Sequence, residues 1–312
     1  MKMKLFEKYN LSLSPHQPSE VDILEVEESE QFVNFEEEPR TYEGYTPKGD
    51  FGLVFVDGVR RTEGLVHIKD DSSGEGFEGA FVSLGAGALR VSYGRLNLLG
   101  DSLVEKETRR ILFLRGSLPI RKVLDFDTVC VDGELSAEVN RYMKDKLEAE
   151  VALRAWKRFP KDLLVCDGTL SYRLKNTSCI GFIKSIKRLY FDKRYINVLY
   201  QLKPGQRSPI IKVHYQQKQE EKEKVDKYTW YVKLSNHEGL HGLARVEAFP
   251  QEGLGRIADL SAGLLHLFAS QPFQDRRSPQ NLLSIGSLER YLRQYLGSYH
   301  IIRREIESFL YA

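Results

Sequence analysis

Cysteine is scarce in this 312-residue chain: Cys130, Cys166 and Cys179 are too few and too scattered for a disulfide framework or a zinc cluster. No apolar run approaches the ~18 residues of a membrane-spanning helix, so no membrane anchorage is expected. The first residues, Met1 to Lys8, are basic, but no apolar stretch follows them, which argues against a secretory leader. A large charge of either sign is also missing, since 46 Lys+Arg stand against 44 Asp+Glu for a net +2. That balance argues against a generic nucleic-acid coat, although a local basic patch fits inside neutral totals. These absences predict a soluble, reduced, cytoplasmic protein.

Core material is plentiful: 41% of residues are hydrophobic and 11% aromatic, which excludes wholesale disorder. Residues 1–44 read as an N-terminal arm, strongly acidic between Glu20 and Glu38. Such a charge run is either a solvated face or an arm that docks on a partner or shields a basic groove. Residues 45–312 read as one α/β domain with insertions near 93–130 and 203–227. Phe51 to Val56 is a nearly continuous apolar run, hence a strand buried on both faces, and it ends on Asp57-Gly58. Strands over Thr62–Lys69 and Gly79–Val91 would complete an antiparallel meander. Ser136 is the expected N-cap of a helix running to about Arg158, with Met143, Leu147, Val151 and Ala155 as its core stripe. Leu163 to Asp167 is a second buried strand ending on Asp-Gly. Strands are expected after it at Cys179–Ile186, Tyr195–Leu202 and Tyr228–Leu234, and the last third reads as helical.

The two apolar strands ending in Asp-Gly, 110 residues apart, carry the chemistry. An Asp at the carboxyl end of a buried strand projects its carboxylate at the sheet rim, where open α/β sheets bind ligands. Two such groups on adjacent strands repel unless a cation lies between them or a proton is shared. Hard oxygen donors select Mg²⁺ or Mn²⁺ over zinc. The competing reading is that Asp-Gly is a common turn dipeptide, as at Asp132-Gly133. Glu148 falls within the Leu147–Val151–Ala155 stripe, where a carboxylate needs a partner or a metal, while Glu150 points away. Glu148 precedes Asp167 by 19 residues, room enough for Asp57, Glu148 and Asp167 to meet at one rim.

These segments resemble the NurA family of DNA-end-processing nucleases. The likeness lies in Phe55-Val56-Asp57-Gly58, in Leu164-Val165-Cys166-Asp167-Gly168-Thr169-Leu170 and in Gly181-Phe182-Ile183-Lys184-Ser185. In order and separation they are similar to the family's first Asp-Gly-Ser strand, its second Asp-Gly-Ser-Leu strand and its Lys-Ser strand. The likeness covers roughly residues 45 to 310. It implies an α/β fold with an RNase H-like mixed sheet flanked by helices, an N-terminal arm and a helical C-terminal segment. It further implies a Mn²⁺-dependent nuclease, weaker with Mg²⁺, that acts 5′→3′ on DNA ends in double-strand-break repair, with single-strand endonuclease activity besides. Such a protein works as a homodimer with a HerA-type hexameric helicase. By the match, Asp57 and Asp167 are metal ligands, Glu148 is the helix carboxylate with Glu150 as the fallback, and Lys184 contacts a phosphate. Two metals about 4 Å apart, sharing these carboxylates, would activate a water and stabilise the leaving oxygen. Arg60, Arg61, Lys187 and Arg188 cluster near the same rim, as cations that track a DNA backbone do. Tyr172 and Tyr190 are candidates for stacking on bases.

Two departures stand out. The first motif reads Asp-Gly-Val, and in Pro279-Gln280-Asn281-Leu282-Leu283-Ser284-Ile285-Gly286 a glycine stands where the family carries a closing acidic residue or His. A missing fourth ligand is therefore expected, with Asp259, His266 or Asp275 as substitutes. The gap favours an alternative: a non-catalytic RNase H-like subunit that regulates or tethers a DNA translocase. A third reading is a hydrolase acting on some other phosphorylated substrate.

Overall fold

The computed structural model describes residues 34–48, 51–69, 76–92, 103–117, 121–186, 189–215, 225–275 and 278–311. The acidic arm up to residue 33, residues 216–224 of the charged insertion, and Lys187 and Arg188 lie outside them. The fold is mixed α/β, with parallel and antiparallel strands flanked by helices in the RNase H-like manner. Two compact units divide the chain. One comprises residues 1–48 and 181–283, the other residues 49–180 and 284–312.

Two short strands open the described chain, β1 (Asn34–Phe35) and β2 (Tyr42–Glu43). The unit of residues 49–180 and 284–312 is then built on two long strands, β3 (Gly52–Lys69) and β4 (Gly76–Ser92). With β5 (Leu103–Arg115) they form an antiparallel meander. A strand break is expected after Asp57-Gly58, but β3 runs straight through it. The partner strand explains this: Asp57 pairs with Gly87 and Gly58 with Ala86, so the ladder continues and no turn forms. The register slips between Thr62 and Gly64, which makes Glu63 the extra residue of a β-bulge. At the far edge, β6 (Lys122–Val123) pairs with β7 (Phe126–Val131), and β7 runs parallel to β5.

The helix expected from Ser136 is three segments: α1 (Leu135–Tyr142), a π-helical turn over Met143–Glu148, and α2 (Ala149–Arg158). Its cap is Glu134, whose carboxylate accepts from the Ala137 N–H at 3.0 Å, while the Ser136 hydroxyl donates to Glu134. Met143, Leu147, Val151 and Ala155 are buried. Their strict spacing of four overshoots the ~3.6 residues of an α-helical turn, and the wider π turn takes up the excess. β8 (Leu163–Asp167) follows, parallel to β3, with Leu53 opposite Leu163 through Val56 opposite Cys166. All the side chains in that pairing are buried, each apolar one contributing roughly 1.5–3 kcal/mol.

The other unit holds β9 (Cys179–Ile183), α3 (Asn197–Gln201), β10 (Gln206–Arg207), β11 (Ile211–Tyr215), β12 (Val225–Lys233), β13 (Leu243–Ala248) and α4 (Leu254–Leu265). Its strands run β1-β11-β12-β13-β9, antiparallel throughout, and β10 pairs with both β12 and β2. The strand expected over Tyr195–Leu202 is helical instead. The Asp192 carboxylate accepts from the Arg194 N–H at 2.9 Å and starts a helical turn. Val198, Leu199 and Leu202 then join one apolar cluster with Ile211, Tyr231 and Leu243.

The chain returns to the unit of residues 49–180 and 284–312 through α5 (Leu283–Tyr295) and α6 (Tyr299–Tyr311). Glycines on β4 allow α5 to come close: an added Cβ on Gly87 would lie 3.0 Å from Leu292 and 3.1 Å from Leu288. Ile302 and Ile306 of α6 pack against Phe81 and Leu112. Among the described residues, no helix is long and apolar enough to cross a membrane.

Candidate metal centre

Parallel register brings the two aspartates together. Val56 lies opposite Cys166, so Asp57 and Asp167 are the next residues on neighbouring strands; β8 stops there and β3 continues. Asp57 is 5% exposed, and its Oδ1 accepts from the Gly58 N–H at 2.8 Å. A third carboxylate arrives from α5. Gly87, the ladder partner of Asp57, lies under Leu288 and Leu292, which sets Glu289 at the level of Asp57. Carboxylate oxygens of Asp57, Asp167 and Glu289 all lie within 4.8 Å of one another.

A carboxylate stands close to Gly286 along the chain. Counting along the chain from Pro279 puts the closing ligand at 286, but Gly286 is buried inside α5, and one turn later the helix presents Glu289. The signal was there: Glu289 adjoins Leu288 and precedes Leu292 by three, so it borders the buried stripe of its helix. The proposed substitutes are engaged elsewhere. Asp259 accepts from Arg207 at 2.7 Å, His266 Nδ1 meets the Ala262 carbonyl oxygen at 3.0 Å, and Asp275 accepts from Asn281 at 2.6 Å.

The π turn supplies a further acid and a base. Lys144 Nζ donates to Glu148 Oε2 at 3.0 Å and to the carbonyl oxygen of Asp167. Both Asp-Gly glycines make room for them. A Cβ on Gly58 would lie 2.7 Å from Glu148 Oε1, and Gly168, at φ +78°, would bring one within 3.5 Å of Lys144 Nζ. Burial pushes the Glu148 carboxyl above its ordinary value, against the pull of the Lys144 charge. Burial also acts to lower Lys144, but the charge and hydrogen bond of Glu148 outweigh it, and the ammonium is held above its usual range. Glu148 stands beside the close trio of carboxylates, not within it. Glu150 faces elsewhere, bound to Arg109 at 2.5 Å and Arg173 at 3.2 Å. Burial works to raise its carboxyl, yet these two arginines hold it below the usual range.

The remaining candidates are dispersed. Arg60 is exposed, while Arg61 turns back onto buried Glu63 at 2.8 Å and donates to the carbonyls of Leu296 and Gly297. Lys184 follows β9 in the other unit, where it lines a cavity of about 360 Å³ with Tyr200 and His241. The Tyr172 hydroxyl accepts from Lys175 at 3.2 Å, and the Arg245 guanidinium lies over the Tyr190 ring at 5.0 Å.

Three convergent carboxylates repel one another unless a cation lies among them. Their hard oxygens fit a divalent ion such as Mg²⁺ or Mn²⁺ and suit zinc poorly. The family model of the NurA domain matches residues 52–288, a span that holds Asp57, Glu148 and Asp167 and stops one residue before Glu289. Comparison with curated proteins gives no match. With most of its length covered by that model, the chain belongs to the NurA family, whose role is nuclease-type, in DNA end processing.

Proposed function

We propose that the chain is a metal-dependent deoxyribonuclease that resects DNA ends in double-strand-break repair, as a Mn²⁺-preferring 5′→3′ exonuclease with single-strand endonuclease activity. The observation that carries this reading is the meeting of Asp57, Asp167 and Glu289, from β3, β8 and α5, within 4.8 Å. These three side chains would hold the ion, which when bound activates a water and stabilises the leaving oxygen of a phosphodiester. The rest falls to the chain itself. The β3–β8 ladder sets the spacing of the two aspartates before any ligand arrives, and the Gly58 N–H orients one of them. Exposed Arg60 supplies positive charge to a DNA backbone. Membership of the NurA family supports a HerA-type hexameric helicase as partner and a homodimer as the working form. The glycine at 286 spoke for a non-catalytic alternative; the carboxylate of Glu289, one turn further along the helix, supports the enzyme reading instead.

End-labelled single- and double-stranded DNA, incubated with Mn²⁺, Mg²⁺ or EDTA, tests the reading. Cleavage with Mn²⁺ that EDTA abolishes is expected. Intact DNA under all three conditions, with and without a HerA-type partner, refutes it.

A further inference from the structure

Around the candidate metal centre the chain gathers four carboxylates and one ammonium: Asp57, Asp167, Glu289 and Glu148 with Lys144. We propose that Lys144 is a positioning residue that holds Glu148 outside the ligand set, so that each chain binds a single divalent ion and the ammonium serves as the second positive centre. The inference rests on the metal-dependent reading above and specifies that site further.

Charge balance argues for it first. Four carboxylates and one ammonium carry a formal −3. One divalent ion brings the cluster to −1 with Lys144 in place, against −2 without it. The fixed ammonium therefore weakens the pull on a second divalent ion.

Geometry argues the same way. Glu148 Oε2 is taken by Lys144, and Oε1 lies 2.7 Å from where a Cβ on Gly58 would stand. The second bond of Lys144 goes to the main-chain oxygen of Asp167, which no side-chain rotation can carry away. Both side chains are mostly covered, at 25% and 13% exposure for Lys144 and Glu148. They project from a π turn pinned between α1 and α2, where the Ala149 N–H closes onto the Lys144 carbonyl. Such a turn alters the facing of side chains along a helix, and it recurs at functional sites. Here it joins the helix-borne acid to the strand end that carries Asp167.

The test is Mn²⁺ titration of the full chain by calorimetry, with electron paramagnetic resonance of the bound ion, for wild type, E148Q, K144Q, K144R, E289Q and the double variant K144Q/E148Q. Wild type and K144R should bind one magnetically isolated Mn²⁺. E148Q should weaken that ion less than E289Q does, by a margin of about tenfold or more, since losing a direct ligand costs more than losing a neighbour. K144Q should release Glu148 and admit a second, dipolar-coupled ion, and the double variant should lose it again. Two coupled ions in wild type, equal weakening by E148Q and E289Q, or a single ion in folded K144Q would each overturn the proposal while leaving metal dependence standing. Should no form bind Mn²⁺, the metal-dependent reading fails and this inference falls with it. E148Q and E289Q keep the question decidable even if K144Q does not fold.

Discussion

A Cβ on Gly58 would sit 2.7 Å from Oε1 of Glu148, so the β3 backbone and the π-turn carboxylate share one niche. Gly58 is not in the left-handed region, and alanine meets no backbone strain there. The conflict is with the ends of two side chains, Glu148 and Met143. Gly58→Ala should therefore fold, lose about 1–3 kcal/mol through overpacking, and separate Glu148 from Lys144. Melting curves with and without Mn²⁺ check this; a variant identical to wild type in both would show that the niche is not shared.

Asp167→Asn and Glu289→Gln should each weaken Mn²⁺ binding by about tenfold or more and abolish cleavage, with the fold intact. Removing one of three mutually repelling carboxylates relieves the metal-free protein, so both variants should melt no lower than wild type in EDTA. Gly286→Asp should leave the Mn²⁺ titration where it is, because residue 286 is buried within its helix. A tighter titration for Gly286→Asp would return the closing ligand to that position.

Arg60 and Arg61 are neighbours with different duties. Exposed Arg60 is free to meet DNA phosphate, and Arg60→Ala should lower the slope of log K against log salt by about 0.7–0.9 without changing the melting temperature. Arg61 neutralises buried Glu63. Arg61→Ala strands that carboxylate and should cost about 3–5 kcal/mol. Thermal melts beside salt-dependent binding curves separate the two, and the idea fails if Arg61→Ala melts like wild type.

Lys233 on β12 is 2% exposed and donates to the carbonyls of Gly239 and His241, both at 2.7 Å. Burial lowers its ammonium from the ordinary 10.5 to about 8. Below pH 8 the folded and unfolded chains both keep the proton. Between about 8 and 10.5 the folded chain has released it while the unfolded chain still holds it, so stability rises with pH in that window. The neutral amine retains two N–H donors for its two carbonyls. Relative to Lys233→Met, wild type should gain at most about 3 kcal/mol across the window, measured by denaturant melts. A difference that stays flat with pH excludes the buried charge.

Asp57 and Asp167 were legible because Leu53–Val56 and Leu163–Cys166 are apolar runs whose parallel pairing carries the next residues side by side. The continuity of β3 was not. A turn preference at Asp57-Gly58 is visible locally, whereas Gly85, Ala86 and Gly87, which keep the ladder going, lie some thirty residues away. Glu289 was hidden for a related reason: its helix face shows in the Leu288–Leu292 spacing, but its neighbour Asp57 depends on the close approach allowed by Gly87. Arg61 reads as a surface cation until the bulge at Glu63 buries its partner, and a bulge breaks the alternation on which strand reading depends.

Chain order also gives the site a clock. Glu289 is made 122 residues after Asp167, and all of residues 181–283 must come between them. At about 5–20 residues per second, a ribosome needs roughly 6–24 s to cover that distance. Throughout it the nascent chain carries both aspartates but no α5, and the cation cluster stays incomplete. A truncated or half-made copy thus lacks the third carboxylate, and its candidate metal site stays unfinished.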